Sequence, residues 1–229
     1  MNIMLIETAT SVCSVALASD GKAVEELHST EPNAHSARLS ILIDELLRHQ
    51  DVKPHNLDAV CVSSGPGSYT GLRIGVSTAK GFCYALRKPL LAVPTLESMA
   101  AQYYRQHPEY DGWVCPMIDA RRMECYAAIY DHSRIVKPIS ADIIENGIYD
   151  PYLDESPVVF IGDGASKTRP ILGVHPHALF ASDFCISAEG MAALAQKRLE
   201  SGNYEDVAYF EPFYLKDFVA KKPVVKGLK

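Results

Sequence analysis

Hydrophobic positions in this chain recur with two different periods, and the switches between them mark out its elements. Met4-Leu5-Ile6 is an apolar run that ends on an acid, Glu7. After a short polar turn, Cys13, Val15 and Leu17 alternate with smaller residues, the period of two that predicts an antiparallel hairpin. Residues 34–48 then place Leu39, Leu42, Ile43, Leu46 and Leu47 on one face of an amphipathic helix. Two short apolar runs, 59–63 (AVCVS) and 90–93 (LLAV), read as strands buried on both sides. Between them the pattern predicts a helix over about 72–86, capped by Ser68 or Thr70. Pro94 opens another, over about 95–105. Downstream the pattern is less regular, with strands near 114–119, 125–130 and 158–161 and a helix over about 188–199.

The opening is repeated. Residues 4–20 read MLIETATSVCSVALASD, and residues 116–132 read PMIDARRMECYAAIYDH. At an offset of 112 (119 − 7), Glu7 falls on Asp119, Cys13 on Cys125, Val15 on Ala127 and Leu17 on Ile129. A polar stretch, 106–112, separates the copies and divides the chain into an N-terminal subdomain, 1–106, and a C-terminal one, 107–229. Strand, hairpin, helix, strand and helix given twice predict an α/β protein of two duplicated ribonuclease-H-like subdomains. This is the actin-like ASKHA architecture of actin, hexokinase and Hsp70. There, acids ending each half's first strand face a nucleotide between the halves, and Glu7 and Asp119 take those positions.

Residues 63–75, SSGPGSYTGLRIG, are the most distinctive segment. Gly65, Gly67 and Gly71 permit unusual backbone angles and leave N–H groups uncovered. A strand that ends in such a loop and opens a helix can hold an anion at the helix N-terminus, with Gly65, Gly67 and Ser68 as candidate phosphate contacts. The loop is not a Walker motif, since no Gly-Lys-Ser/Thr follows, nor a dinucleotide fingerprint, since Gly71 comes one residue late. The same glycines equally fit a tight turn with close helix packing, where Gly71, Gly75 and Ala79 form a smooth flank. The sequence holds no G-x-S-x-G elbow, H-E-x-x-H pair or kinase signature.

Composition narrows the classes. With 229 residues, 48% of them hydrophobic, the chain can bury one large core or two small ones. No apolar run approaches the roughly 20 residues of a membrane span, and the N-terminus lacks the basic start of a signal peptide, so a cytoplasmic protein is expected. A net charge of −6 opposes wholesale attraction of a phosphate backbone. The local exception is Lys221, Lys222, Lys226 and Lys229, a candidate contact for RNA or an acidic partner. The six cysteines (13, 61, 83, 115, 125 and 185) form no C-x-x-C pair and are expected as buried, reduced thiols. The histidines lack ligand spacing, and no metal site is expected.

Four segments carry a resemblance: IETATSVCSVAL from Ile6, SGPGSYTGLRIG from Ser64, MIDARRMECY from Met117 and PFYL at 212–215. Together they resemble the TsaB (YeaZ) family over nearly the whole chain. The resemblance implies the actin-like fold and work alongside a catalytic paralogue, TsaD, and an ATPase, TsaE. Their product is N6-threonylcarbamoyladenosine at position 37 of tRNAs that read codons beginning with A. It also implies that this subunit is not itself an enzyme but binds and activates TsaD. The paralogue has histidines where Thr95 and Met99 stand here. Two histidines four apart share a helix face and can hold a metal, which a threonine and a thioether cannot. On this reading Glu7, Gly65, Gly67, Ser68 and Asp119 are a vestigial nucleotide or phosphate site. No cofactor is firmly implied, although ATP or ADP fits at the interface of the complex.

The resemblance further implies a four-helix interface, made by the helix at 34–48 and the one after the glycine loop with their counterparts in TsaD. Ala37 and Ile41 lie off the core face of the first helix. The second carries Leu72, Ile74, Val76, Phe82, Cys83 and Tyr84 around much of its circumference and must be covered on more than one side. Ala37, Ile41, Ile74, Ser77, Thr78 and Phe82 are the expected contacts. The same patch can pair with itself, giving a homodimer when TsaD is absent. tRNA is then met indirectly, through the complex. Two other readings stand beside this one. An ATP-dependent small-molecule kinase of the same fold would use Asp119 as base, with Arg121 and Arg122 binding phosphate or pairing with Asp119. A stand-alone homodimeric interaction module would capture no TsaD.

Overall fold

Strand β1 (Asn2–Glu7) and strand β2 (Cys13–Ser19) form the opening hairpin, and β3 (Lys22–Ser29) adds an outer strand to it. The structure, a computed structural model, describes residues 1–216, so the four tail lysines lie outside the described residues. Helix α1 (Ala34–His49) buries Leu39, Leu42, Ile43, Leu46 and Leu47, the stripe its period predicts. Strand β4 (Ala59–Ser63) pairs in parallel with β1, and β5 (Leu90–Val93) with β4; every residue of both is buried. Helix α2 (Tyr69–Leu86) begins three residues before the predicted start because Ser68 is the cap, its Oγ accepting from the Gly71 N–H at 3.3 Å. The first sheet therefore runs β3-β2-β1-β4-β5.

The second sheet repeats the plan. Strands β6 (Trp113–Asp119), β7 (Glu124–Asp131) and β8 (Arg134–Ile143) form its meander. Strands β9 (Val158–Ile161) and β10 (Ala178–Ala181) extend it in parallel, giving the order β10-β9-β6-β7-β8. Short helices α4 (Asp150–Leu153) and α5 (Ala165–Leu172) accompany β9. The hairpins of the two halves differ in register. Glu7 lies opposite Ser14, whereas Asp119 lies opposite Cys125, so the second turn is one residue shorter. The sequence match of Cys13 with Cys125 is thus displaced by one position in space.

Packing crosses between the halves. One face of the first sheet is covered by α1 and α2, which bury Met4, Ile6, Val15 and Val62. The other is covered from the far end of the chain, by a 3-10 turn (Ala188–Met191) and helix α6 (Ala192–Glu200) against Ile3, Leu5, Ala16 and Leu91. Conversely, α3 (Thr95–Gln106) lays Leu96, Met99 and Tyr103 on the second sheet, against Val114, Ile118 and Tyr130. The two sheets lie on either side of residue 106, but each half lends one covering helix to the other, α3 to the second sheet and α6 to the first. After α6 the chain runs back along the first sheet. Glu205 bridges to Leu90, Lys80 Nζ donates to the carbonyls of Ala208 (3.1 Å) and Phe210 (3.0 Å), and the Phe213 N–H donates to the Ser64 carbonyl at 2.7 Å. Among the described residues no helix is long and apolar enough to cross a membrane. Five cysteines are buried and free; Cys185 is free but exposed, on a loop that the apolar context of the sequence did not reveal.

Candidate functional site

The turns that follow β1 and β6 open on a shared cleft of about 810 Å³ between the halves. Ala9–Ser11 and Gly67–Thr70 form one wall, Asp119–Arg122 with Glu124 and Tyr126 the other, and Phe213–Lys216 flank it. Of the five residues named from the sequence for a vestigial nucleotide site, Gly67, Ser68 and Asp119 line this cleft, while Glu7 and Gly65 lie behind it.

Glu7 is wholly buried. Its Oε1 accepts from the Ala9 N–H at 2.7 Å and from Ser63 Oγ at 2.8 Å, and its Oε2 has no partner among the described residues. Burial pushes the carboxyl up to about 7 despite those bonds. The acid therefore joins the end of β1 to the end of β4 and shapes the following turn from behind.

Asp119 has the opposite environment. Half its side chain is exposed, and Oδ1 accepts from the Arg121 N–H at 2.7 Å and from the Lys167 ammonium. Lys167 Nζ also donates to the carbonyls of Arg122 (2.8 Å) and Glu124 (2.7 Å), and the Asp119 N–H donates to Asp163 Oδ1 at 3.0 Å. Burial pushes the Asp119 carboxyl up, but the bonds from Lys167 and the Arg121 amide outweigh it and hold the group below the usual carboxylate range. An ammonium thus fills the acceptor cluster to which a hydrated cation would bind. A carboxylate held ionised in this way is a weak base. The sequence offered no signal for Lys167, whose role arises only from tertiary placement. Arg121 and Arg122 are exposed on the rim, and neither guanidinium takes the ion pair with Asp119.

The glycine loop is packed rather than open. The Gly65 N–H donates to Thr95 Oγ1 at 3.1 Å, and the Ser68 N–H to the Ala9 carbonyl at 2.6 Å. A Cβ on Gly67 would sit 2.4 Å from the Ala9 carbonyl oxygen, and one on Gly71 2.1 Å from that of Thr8. These positions need glycine because helix α2 starts against the backbone after β1, which is the close-packing alternative read from the sequence. Gly71→Ala is expected to cost about 1–3 kcal/mol, because backbone meets backbone with no side chain to yield. Gly81, on the same helix with nothing within 4 Å, gives the opposite sign: Gly81→Ala should stabilise by about 0.5–1 kcal/mol. Urea denaturation of both variants checks the pair.

Thr95 and Met99 are engaged inside the protein, Thr95 as the acceptor for Gly65 and Met99 in the core beneath the second sheet. On the outer side of α1 and α2, Ala37 and Ser77 are exposed and Ile41 is 41% exposed, while Ile74, Thr78 and Phe82 are half-buried. Leu72, Val76 and Cys83 face the core, and Tyr84 is 82% exposed.

The sequence profile of the family described as "TsaD: tRNA N6-adenosine threonylcarbamoyltransferase" matches residues 29–224. The chain is 32% identical to the tRNA threonylcarbamoyladenosine biosynthesis protein TsaB of Bacillus subtilis over 178 residues, 75% of each chain. It is 29% identical to the protein of that name from Escherichia coli over 240 aligned positions, 97% of each chain. The solved structure of YeaZ from Pseudomonas aeruginosa superposes with a TM-score of 0.82 at 28% identity, covering 93% of this chain and 99% of that one. The exchanged two-sheet architecture is accordingly the actin-like ASKHA fold. Matched in fold and along most of its length in sequence, the chain belongs to the TsaB family of tRNA threonylcarbamoyladenosine biosynthesis proteins.

Proposed function

We propose that this chain is the non-catalytic subunit that binds and activates TsaD in the threonylcarbamoylation of adenosine 37, in tRNAs reading codons that begin with A. The observation that carries the reading is the outer face of α1 and α2. Ala37, Ile41, Ile74, Ser77, Thr78 and Phe82 give it small and apolar side chains, with Ala37, Ile41 and Ser77 exposed and Ile74, Thr78 and Phe82 half-buried. Such a face suits a second pair of helices. Without TsaD, a second copy of the chain pairs through the same face. TsaE joins the complex through TsaD, and any ATP or ADP lies at the junction of subunits rather than within this chain. The state of the cleft supports the absence of chemistry: Glu7 is sealed, Asp119 is held by Lys167, and Thr95 and Met99 are engaged in packing. The same features weigh against the kinase reading.

Reconstitution tests this. With TsaD, TsaE and the threonylcarbamoyl-AMP synthase, modification of tRNA should require this chain and survive Glu7→Gln combined with Asp119→Asn. Modification that proceeds without the chain, or ATP turnover by the chain alone, would overturn the reading.

A further inference from the structure

Among the described residues, seven that are not glycine have a left-handed φ. Asp20, Asn33, Asp51 and His132 belong to the types that tolerate it, and Arg87 ends helix α2. The other two are neighbours, Arg121 (φ 70°) and Arg122 (φ 50°), in the turn between β6 and β7. Arginine gains nothing locally from a conformation that glycine adopts freely. The turn is nevertheless fixed: the Arg121 N–H is bonded to Asp119, the Arg122 carbonyl to Lys167, and the Ala120 N–H to the Glu124 carbonyl at 3.1 Å. Its backbone is satisfied, whereas neither guanidinium has a hydrogen-bond or ion-pair partner among the described residues. Strain kept at a surface turn that presents two exposed guanidiniums points to a ligand rather than to stability.

The surroundings narrow the ligand. Tyr126 and Tyr214 line the same cleft, and Tyr214 lies on Tyr69 with ring centroids 4.7 Å apart. Of the groups that would grip a free nucleotide's polyphosphate, the Ser68 and Gly71 amides are engaged by Ala9 and Ser68 Oγ, and Asp119 by Lys167. What remains is an open rim with two adjacent exposed guanidiniums beside two half-buried tyrosines, which suits a strand running across the surface. We infer that the Arg121–Arg122 turn and the cleft tyrosines are a contact site for RNA, the guanidiniums taking phosphate oxygens while a neighbouring base lies on Tyr126 or Tyr214. On a chain of net charge −6 this contact sets position and leaves bulk attraction to the partner. The choice of RNA rests on the tRNA reading above.

Fluorescence anisotropy of a labelled anticodon stem-loop RNA, titrated with the full chain, tests it. Arg121→Gly with Arg122→Gly should weaken binding at least tenfold. It should also lower the slope of log affinity against log salt by about 1.4, two phosphate contacts at roughly 0.7 each. The thermal midpoint should stay level or rise, because glycine relieves the left-handed turn; a purely structural pair of arginines predicts a fall. Tyr126→Ala should weaken binding with the salt slope unchanged. Excess ADP should leave the RNA bound. Displacement by ADP with the same arginine dependence would make the site one for free nucleotide and overturn the RNA assignment. So would wild-type affinity in the double variant, or no binding by the wild-type chain. Failure here leaves requirement for the chain in reconstituted modification intact, so the two readings fall separately.

Discussion

Ile41→Asp is expected to weaken binding of this chain to TsaD by at least a hundredfold while leaving the chain itself folded. Ile41 is 41% exposed on the outer side of α1, so an aspartate there stays hydrated in the free protein and disturbs no core contact. The core stripe of the same helix, Leu39, Leu42, Ile43, Leu46 and Leu47, is untouched. In the complex the carboxylate would be buried against apolar helix faces without a partner. An unpaired buried charge costs about 3–5 kcal/mol, which corresponds to a loss of roughly a hundredfold to a few thousandfold in affinity. Ile41→Ala removes only apolar area and should cost about 1–2 kcal/mol, roughly tenfold. Val24→Asp, on the outer strand β3, places the same charge on a residue 53% exposed and should leave affinity unchanged. Isothermal titration against TsaD, with circular dichroism to confirm folding, separates the three variants. In reconstitution the Ile41→Asp chain should fail to support modification. Undiminished affinity would remove α1 from the interface and with it the main support for the proposed function.

What made α1 and α2 readable is the regularity of the first half. Uninterrupted helical spacing in α1, and runs such as AVCVS with no polar residue before the terminal serine, leave few ways to fold. The second half hides its elements behind polar clusters. Strand β8 contains Lys137 and Pro138, and Lys137 pairs with Asp142 Oδ2 at 2.8 Å, the same oxygen that accepts from the buried Tyr149 hydroxyl at 2.6 Å. A lysine and an aspartate facing inward break the alternation that marks a strand. Helix α5 has only eight residues, with Pro170 inside it. For the site, the sequence located the acids at the strand ends but not their surroundings. Glu7 is sealed between strands, while Asp119, its counterpart in the repeat, reaches Lys167 on α5. Sequence distance of 48 residues carries no hint of that ion pair. The glycines of the loop were open to two readings, and only the carbonyls of Thr8 and Ala9 favour close packing.

The sealed acid has a consequence for stability. Folded, the chain retains the Glu7 proton up to about pH 7; unfolded, it releases it near 4.5. Between those values the native state binds more protons, so the Glu7 contribution is fully present below about pH 4.5, is lost as pH rises, and levels off above 7. The loss is about 3 kcal/mol, from 1.36 kcal/mol per unit. Asp119 acts with the opposite sign and in a separate window, since its lowered value contributes stability that is lost only as pH falls below about 4. Asp163, raised chiefly by burial, adds in the same direction as Glu7. The comparison is therefore made against Glu7→Gln on the same background. The amide keeps an oxygen to accept from Ala9 and Ser63 but cannot titrate, so it carries a fixed offset and no slope of its own. Urea denaturation from pH 4.5 to pH 8 should show the variant gaining about 3 kcal/mol relative to wild type across that range. Parallel curves would mean that Glu7 is reached by water and ionises normally. The carboxyl would then be available to the cleft after all, and the case for a nucleotide site within this chain would have to be reopened.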